Sequence, residues 1–168
     1  DERIRDRVMS NITPKTITVS GSNSGVGKTT VVESLLKKLK GWSALKVTVS
    51  HKGICPTNRD CGACENLDSE FLIVSDKNII EQEGKDTHRL KKAGAEQVLW
   101  LRSKPEGLRQ GLKQALLRLK KAKGVIVEGT SALKYLKPDL AIFVKKENSI
   151  LKPSAREVLK KVDLILTI

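Results

Sequence analysis

The sequence predicts an α/β architecture, a mostly parallel sheet with helices on both faces. Three observations lead there. Short β-branched runs alternate with stretches whose apolar residues recur at helical spacing. The runs Gly124–Val127 and Leu140–Val144 are wholly apolar rather than alternating, as strands covered on both faces are. A glycine-rich stretch, Gly21–Gly27, separates the first strand from the first helix. The 168 residues fit one domain, 39% hydrophobic and without an internal repeat, so residues 1–168 are expected to form a single unit with an ordinary core.

Taken in order, residues 1–14 read as a polar lead-in. Lys15–Ser20 is a β-branched strand. A helix follows the glycines, because Val31, Val32, Leu35, Leu36 and Leu39 fall on one side at helical spacing. Leu45–Ser50, Phe71–Ser75 and Gln97–Leu101 are further strands. Leu108, Leu112, Ala115, Leu116 and Leu119 mark an amphipathic helix over 108–119. Two more strands follow at 124–127 and 140–144, Ser154 and Glu157 form a capping-box pair opening a short helix, and Val162–Ile168 is a last strand.

Charge excludes some classes. The chain holds 32 Lys and Arg against 19 Asp and Glu, a net charge of +13. Only Trp42, Phe71, Trp100, Tyr135 and Phe143 are aromatic, too few for a base-stacking nucleic-acid module. No apolar run approaches the ~20 residues of a membrane span. Asp1–Arg7 is charged, unlike a secretory signal. Three cysteines make an odd count for a disulfide framework, so a reducing cytoplasm is the expected location.

The most specific feature is Gly21-Ser22-Asn23-Ser24-Gly25-Val26-Gly27-Lys28-Thr29-Thr30 between strand and helix. Phosphates need donors and positive charge, which converging backbone N–H groups and a helix N-terminus supply. This is a phosphate-binding P-loop pattern, and with it the sheet is expected to be the three-layer architecture of a P-loop NTPase. Asn23 to Thr30 would cradle a nucleotide, Lys28 would reach the outer phosphates, and Thr29 would ligate Mg²⁺. The strict pattern has glycine where this chain has Ser22, and its nearest glycine, Gly21, comes one residue early. An ordinary glycine-rich turn is the plainer alternative.

Such a site needs a carboxylate at the end of a buried strand to hold Mg²⁺ or its waters. Glu128, in Val125-Ile-Val-Glu128-Gly129, fits that place. A second acid, Asp86, lies in Gly84-Lys85-Asp86-Thr87-His88-Arg89, ahead of Ala93-Gly94-Ala95. Read locally, Asp86 or Thr87 caps a helix that ends at Gly94.

The loop form Ser-Gly-Val-Gly-Lys-Thr-Thr-Val resembles those of cobyrinate amidases, dethiobiotin synthetases and MobB-type proteins of molybdopterin-guanine dinucleotide biosynthesis. Three segments in order, Ser24–Thr30, Gly84–Ala95 and Val127–Gly129, resemble the MobB family. They span residues 24–129, about the middle two-thirds of the chain. The resemblance implies a GTP-binding adapter with weak hydrolysis that assists guanylylation of the molybdenum cofactor or its delivery. It implies Asp86 near the phosphates, with Lys28, Asp86 and Glu128 as the working residues and Thr29, Asp86 and Glu128 around Mg²⁺. Protein partners of cofactor maturation and a nucleotide-dependent homodimer are likewise implied by it alone. The usual guanine-reading tetrapeptide, Asn/Thr-Lys-x-Asp, is absent, so preference for GTP over ATP rests on the resemblance.

The segment after the second strand departs from that family, which tends to be basic and histidine-rich there. Here it reads His51-Lys52-Gly-Ile-Cys55, then Cys61-Gly-Ala-Cys64. Cys55, Cys61, Cys64 and His51 are a candidate set for Zn²⁺, or the cysteines alone for an Fe–S cluster. A Cys61–Cys64 redox pair and unligated thiols stay open. Residues 51–83 hold three basic and seven acidic side chains, a net of −4 that leaves +17 on the rest of a chain whose total is +13. An acidic, thiol-bearing loop therefore sits on a basic scaffold.

The basic run Arg109, Lys113, Arg118, Lys120, Lys121 and Lys123 is expected to be a solvated helix face, or a patch for a polyanionic ligand. Two other functions compete with the adapter reading. One is a metallochaperone NTPase with a cysteine-held metal. The other is a small-molecule kinase or ATP-dependent ligase, for which Arg89 and Arg102 are the nearest lid arginines.

Overall fold

The computed structural model describes residues 14–50, 67–151 and 153–168. They build a seven-stranded sheet from β1 (Lys15–Gly21), β2 (Trp42–Val49), β3 (Phe71–Val74), β4 (Val98–Ser103), β5 (Gly124–Glu128), β6 (Leu140–Lys145) and β7 (Leu164–Thr167). The order across the sheet is β3-β4-β2-β5-β1-β6-β7. Five of its neighbour pairs are parallel. The exception is β3, which lies antiparallel on the edge against β4. The helices are α1 (Lys28–Lys38), α2 (Lys77–Ile80), α3 (Asp86–Lys92), α4 (Leu108–Arg118) and α5 (Pro153–Leu159), with 3-10 turns at Pro105–Gly107 and Thr130–Lys134. The fold is α/β with a mostly parallel sheet, as the sequence predicts.

Parallel strands need crossovers, and the crossovers carry helices to both faces. On one face Val32 and Leu36 of α1 and Leu90 of α3 are fully buried against Val19, Ala44, Ile126 and Ile142. On the other, Leu108, Leu112, Ala115 and Leu116 of α4 close over Leu45, Val47, Leu99, Leu101 and Val127. The same face continues under α5, where Ala155 and Val158 cover Ala141 and Phe143. β5 and β6 are thus buried on both sides, which is why their sequences show no polar alternation, whereas β1 keeps Thr16, Thr18 and Ser20 alternating although all three are buried.

The chain leaves β1 through α1 toward β2, on one side, and leaves β5 toward β6, on the other. Loops after neighbouring strands that part in opposite directions open a crevice at the carboxyl ends of the sheet. The loops in question are the glycine stretch and Glu128–Thr130.

Some expectations shift in detail. α5 begins at Pro153, one residue before Ser154, because the fixed φ of proline suits the first helical position. α3 begins with Asp86 as its first residue after Lys85, so neither Asp86 nor Thr87 is the cap. Its end at Gly94, with φ +110°, matches the sequence reading. The turn-long α2 is not foreseen, and it is held by the Asp76 carboxylate, which accepts a hydrogen bond from the Asn78 N–H at 2.8 Å.

Candidate functional site

The glycine loop is shaped by contacts at both of its ends. Ser22 N–H donates to the Val144 carbonyl at 3.0 Å, tying the loop to β6. Gly21 stands where Val26 and Lys28 fold back. A Cβ there would lie 2.6 Å from Val26 Cγ1 and 3.0 Å from Lys28 Cγ. The early glycine therefore has a packing reason of its own, while Ser22 is 2% exposed and fits where the strict pattern has glycine. Gly25 and Gly27 take φ of +77° and +110°, a backbone region that side chains disfavour.

Gly27 opens α1, and as a glycine it brings no side-chain cap bond to the first turn. The N–H groups at this helix start keep their partial positive charge directed out of the helix. Lys28 Nζ donates to the Asn23 carbonyl at 3.2 Å, which holds the ammonium above the loop. Val26 is buried, whereas Asn23, Ser24, Gly25 and Thr30 are exposed along the rim. Ile168 lies over the loop, its Cδ1 2.8 Å from where a Gly27 Cβ would stand.

Below the loop, four residues distant in sequence meet. Thr29 Oγ1 donates to Glu128 Oε1 at 2.8 Å. Glu128 is 4% exposed, and its Oε2 has no hydrogen-bond partner among the described residues. Asp86, at the start of α3, stands on the other side, paired with Lys46 Nζ. The same ammonium is 3.6 Å from Glu128 Oε1. Lys46 and Glu128 are register partners across β2 and β5, so their side chains leave the sheet on one face.

Burial alone would raise the pKa of Asp86, but it is outweighed. The Lys46 ammonium, the Arg89 guanidinium and the Thr29 hydroxyl together hold this carboxyl below its ordinary 3.8. Arg89 Nη1 is 3.9 Å from Asp86 Oδ1, and its Nη2 pairs with Glu33 and donates to Thr30 Oγ1 at 3.2 Å. Arg89 thus braces α3 against α1. Arg102 sits 9% exposed with its guanidinium carbon 5.2 Å from the Trp100 ring centroid. Neither arginine is carried by a lid over the loop.

Gly129 and Thr130 complete the crevice. Gly129 has φ +154°, and a Cβ there would be 2.8 Å from the Val47 carbonyl oxygen. Thr130 Oγ1 both accepts from Gly21 N–H and donates to the Gly21 carbonyl, each at 3.1 Å. The strand end bearing Glu128 is thereby clipped to the base of the glycine loop.

The donor set suits one class of ion. Among the described residues no three His, Cys, Asp or Glu side chains converge. A hydroxyl and two carboxylates, one with a buried unpartnered oxygen, suit Mg²⁺, which keeps several waters and completes its shell from phosphate oxygens. Thr29, Asp86 and Glu128 are the residues that would hold it.

Of the residues singled out from sequence, Lys28, Thr29, Asp86 and Glu128 come together around the crevice, with Asn23, Ser24, Gly25 and Thr30 along its rim, Gly27 at the helix start and Val26 buried beneath. His51, Lys52, Cys55, Cys61 and Cys64 lie outside the described residues. Lys46 is the residue that sequence reasoning passed over. Its mark was a lysine inside the apolar, β-branched run Leu45–Val49. A cavity of about 250 Å³, lined by Ser43, Gln97, Arg118 and Lys121 among others, lies by the starts of β2 and β4 and includes none of these residues. Among the described residues no helix is long and apolar enough to cross a membrane. No family model matches the sequence, and no curated protein matches it.

Proposed function

We propose that this protein is a P-loop nucleotide-binding protein that takes a Mg²⁺-bound nucleoside triphosphate in the crevice between Gly21–Thr30 and Glu128–Thr130. One observation carries this reading: the Thr29–Glu128 hydrogen bond sets the start of α1, whose N-cap is the glycine Gly27, side by side with a buried carboxylate. Anions favour the first, and a hard cation favours the second. Together they select a ligand that brings both, a phosphate chain with its metal.

The roles follow from position. The backbone N–H groups from Gly25 to Thr30 hold phosphate oxygens. Lys28 exchanges the Asn23 carbonyl for the outer phosphates, a stronger partner for an ammonium. Glu128 and Thr29 orient the ion or its waters, and Asp86 does so from α3. Bound Mg²⁺ would supply charge neutralisation across the outer phosphates. Asp86, held ionised at neutral pH, is the group placed to orient an attacking water, which fits slow hydrolysis. Arg89 is engaged with Glu33 and Thr30, an arrangement that favours an adapter over a lidded kinase.

The resemblance of Ser24–Thr30, Gly84–Ala95 and Val127–Gly129 to MobB-type proteins supports the finer reading. On it, the protein is a cytoplasmic GTP-binding adapter of molybdenum cofactor guanylylation or delivery, with protein partners and weak hydrolysis. A second reading, an NTPase that carries a cysteine-held metal, is favoured by one further observation. β2 ends, and the antiparallel β3 starts, at the same end of the sheet as the crevice, and Cys55, Cys61 and Cys64 come between these two strands in the sequence.

The test is calorimetric titration with GTP and with ATP in Mg²⁺, alongside elemental analysis of protein purified without chelator. Preference for GTP without stoichiometric metal supports the adapter, and bound Zn or Fe supports the second reading. Preference for ATP with no metal would contradict both.

A further inference from the structure

Two carboxylates built to receive a divalent ion repel each other before it arrives. Here a cation already stands between them. Lys46 rises from the middle of β2, its side chain 17% exposed, pairs with Asp86 and lies 3.6 Å from Glu128. Nothing in the packing demands charge at this position. Its neighbours on the same face of the sheet across the register are Trp100 and Glu128; the Trp100 Nε1–H donates to Thr48 Oγ1 at 2.9 Å rather than to any partner of Lys46, and Ala44 and Ile126 on that face are apolar core. A lysine stem covers apolar surface well, but an apolar residue would do so without desolvating an ammonium. The charge is explained by the two acids it joins.

We infer that Lys46 is an internal cation that holds Asp86 and Glu128 together in the absence of a divalent ion and is displaced when that ion binds. The inference deepens the proposed Mg²⁺ site and rests on it. The ammonium and the ion cannot both occupy the space next to Glu128 Oε1 and Asp86 Oδ2, so each must weaken the binding of the other. Two consequences follow. Metal affinity without nucleotide is kept low, because the ion must first break an ion pair. The acids also stay in place without metal, with α3 fixed to the sheet through Asp86. Asp86, its side chain 43% exposed, is where the ion can first reach the pair, and Glu128 Oε2, buried and without a hydrogen-bond partner among the described residues, is free to take the ion once Lys46 has left.

The experiment uses the nucleotide-free full chain and Mn²⁺, whose free concentration is read by electron paramagnetic resonance. Lys46→Met removes the charge and keeps the stem, and Lys46→Arg keeps the charge. K46M is expected to bind Mn²⁺ at least about tenfold more tightly than the wild type, because it lacks the competing ammonium, and K46R is expected not to gain. In chelator K46M should melt below the wild type and recover on adding Mn²⁺. Adding Glu128→Gln to K46M should abolish the gain. If K46M does not fold, Lys46→Gln has the same expected outcome. Equal Mn²⁺ affinity in wild type and K46M, an equal gain in K46R, or a gain that survives E128Q would each overturn the inference. No nucleotide is present, so a failed GTP titration of the wild type counts against the nucleotide site, whereas an unchanged Mn²⁺ affinity counts against Lys46.

Discussion

The Thr29 hydroxyl donates to Glu128 Oε1 at 2.8 Å, joining two residues 99 positions apart. Thr29 belongs to the first turn of α1 and Glu128 to the last residue of β5, so the bond closes the crevice from below. Hydrogen bonds to ionised groups contribute about 1.5–3 kcal/mol. Thr29→Ala should destabilise the chain by about 1–3 kcal/mol in a denaturant titration and weaken Mg²⁺-nucleotide binding. Thr29→Ser should keep both.

Gly21 is the position where space decides. A Gly21→Ala methyl would meet Val26 Cγ1 at 2.6 Å and press on the Lys28 stem. Overpacking of this kind costs about 1–3 kcal/mol. Because the strain falls on the loop, nucleotide affinity should drop by more than the stability loss alone would produce. Comparing calorimetric affinity with thermal unfolding of G21A checks this.

The clip at Thr130 makes a separate prediction. Thr130→Val keeps the shape and removes both hydrogen bonds to Gly21, leaving its N–H and C=O unpaired in a partly buried setting. The cost should be about 1–3 kcal/mol. Hydrogen exchange at Gly21 should quicken in the variant while amides in the middle of β6 stay protected.

Asp86 sets a pH dependence. Its native pKa lies below the ordinary 3.8, so the native state binds its proton less readily than the unfolded chain does. The stabilisation is fully present above that ordinary value and is lost as pH falls through the lower native one. Asp86→Asn should therefore flatten the acid limb of the stability curve, measured by urea titration between neutral pH and pH 3. An unchanged acid limb would show that Asp86 is not held by Lys46 and Arg89.

Much of this fold is legible in the sequence, for a physical reason. Strands buried on both faces tend to near-continuous apolar runs, so Gly124–Val127 and Leu140–Val144 declare themselves. The amphipathic spacing of Leu108, Leu112, Ala115 and Leu116 does the same for α4. The direction of β3 is not legible, because side-chain pattern is blind to whether a strand runs parallel or antiparallel. Nor is α2, a single turn fixed by the Asp76 carboxylate rather than by periodicity. At the site, Lys28, Thr29 and Glu128 could be found because each has a fixed place relative to a strand end. Asp86 needed its resemblance to a family segment, since locally it reads as a helix start. Lys46 escaped because a single lysine in a strand looks like an outward-facing residue. Only the register of β2 against β5 shows that it faces Glu128.

The most direct measurement is calorimetric titration of the nucleotide-free full chain with GTP and ATP, in Mg²⁺ and in chelator. Saturable binding in Mg²⁺ is expected that favours GTP, weakens by about tenfold or more in Glu128→Gln, and weakens likewise in Lys28→Ala, as loss of charge-assisted contacts requires. Absence of binding by either nucleotide in Mg²⁺, with the chain folded, would contradict it.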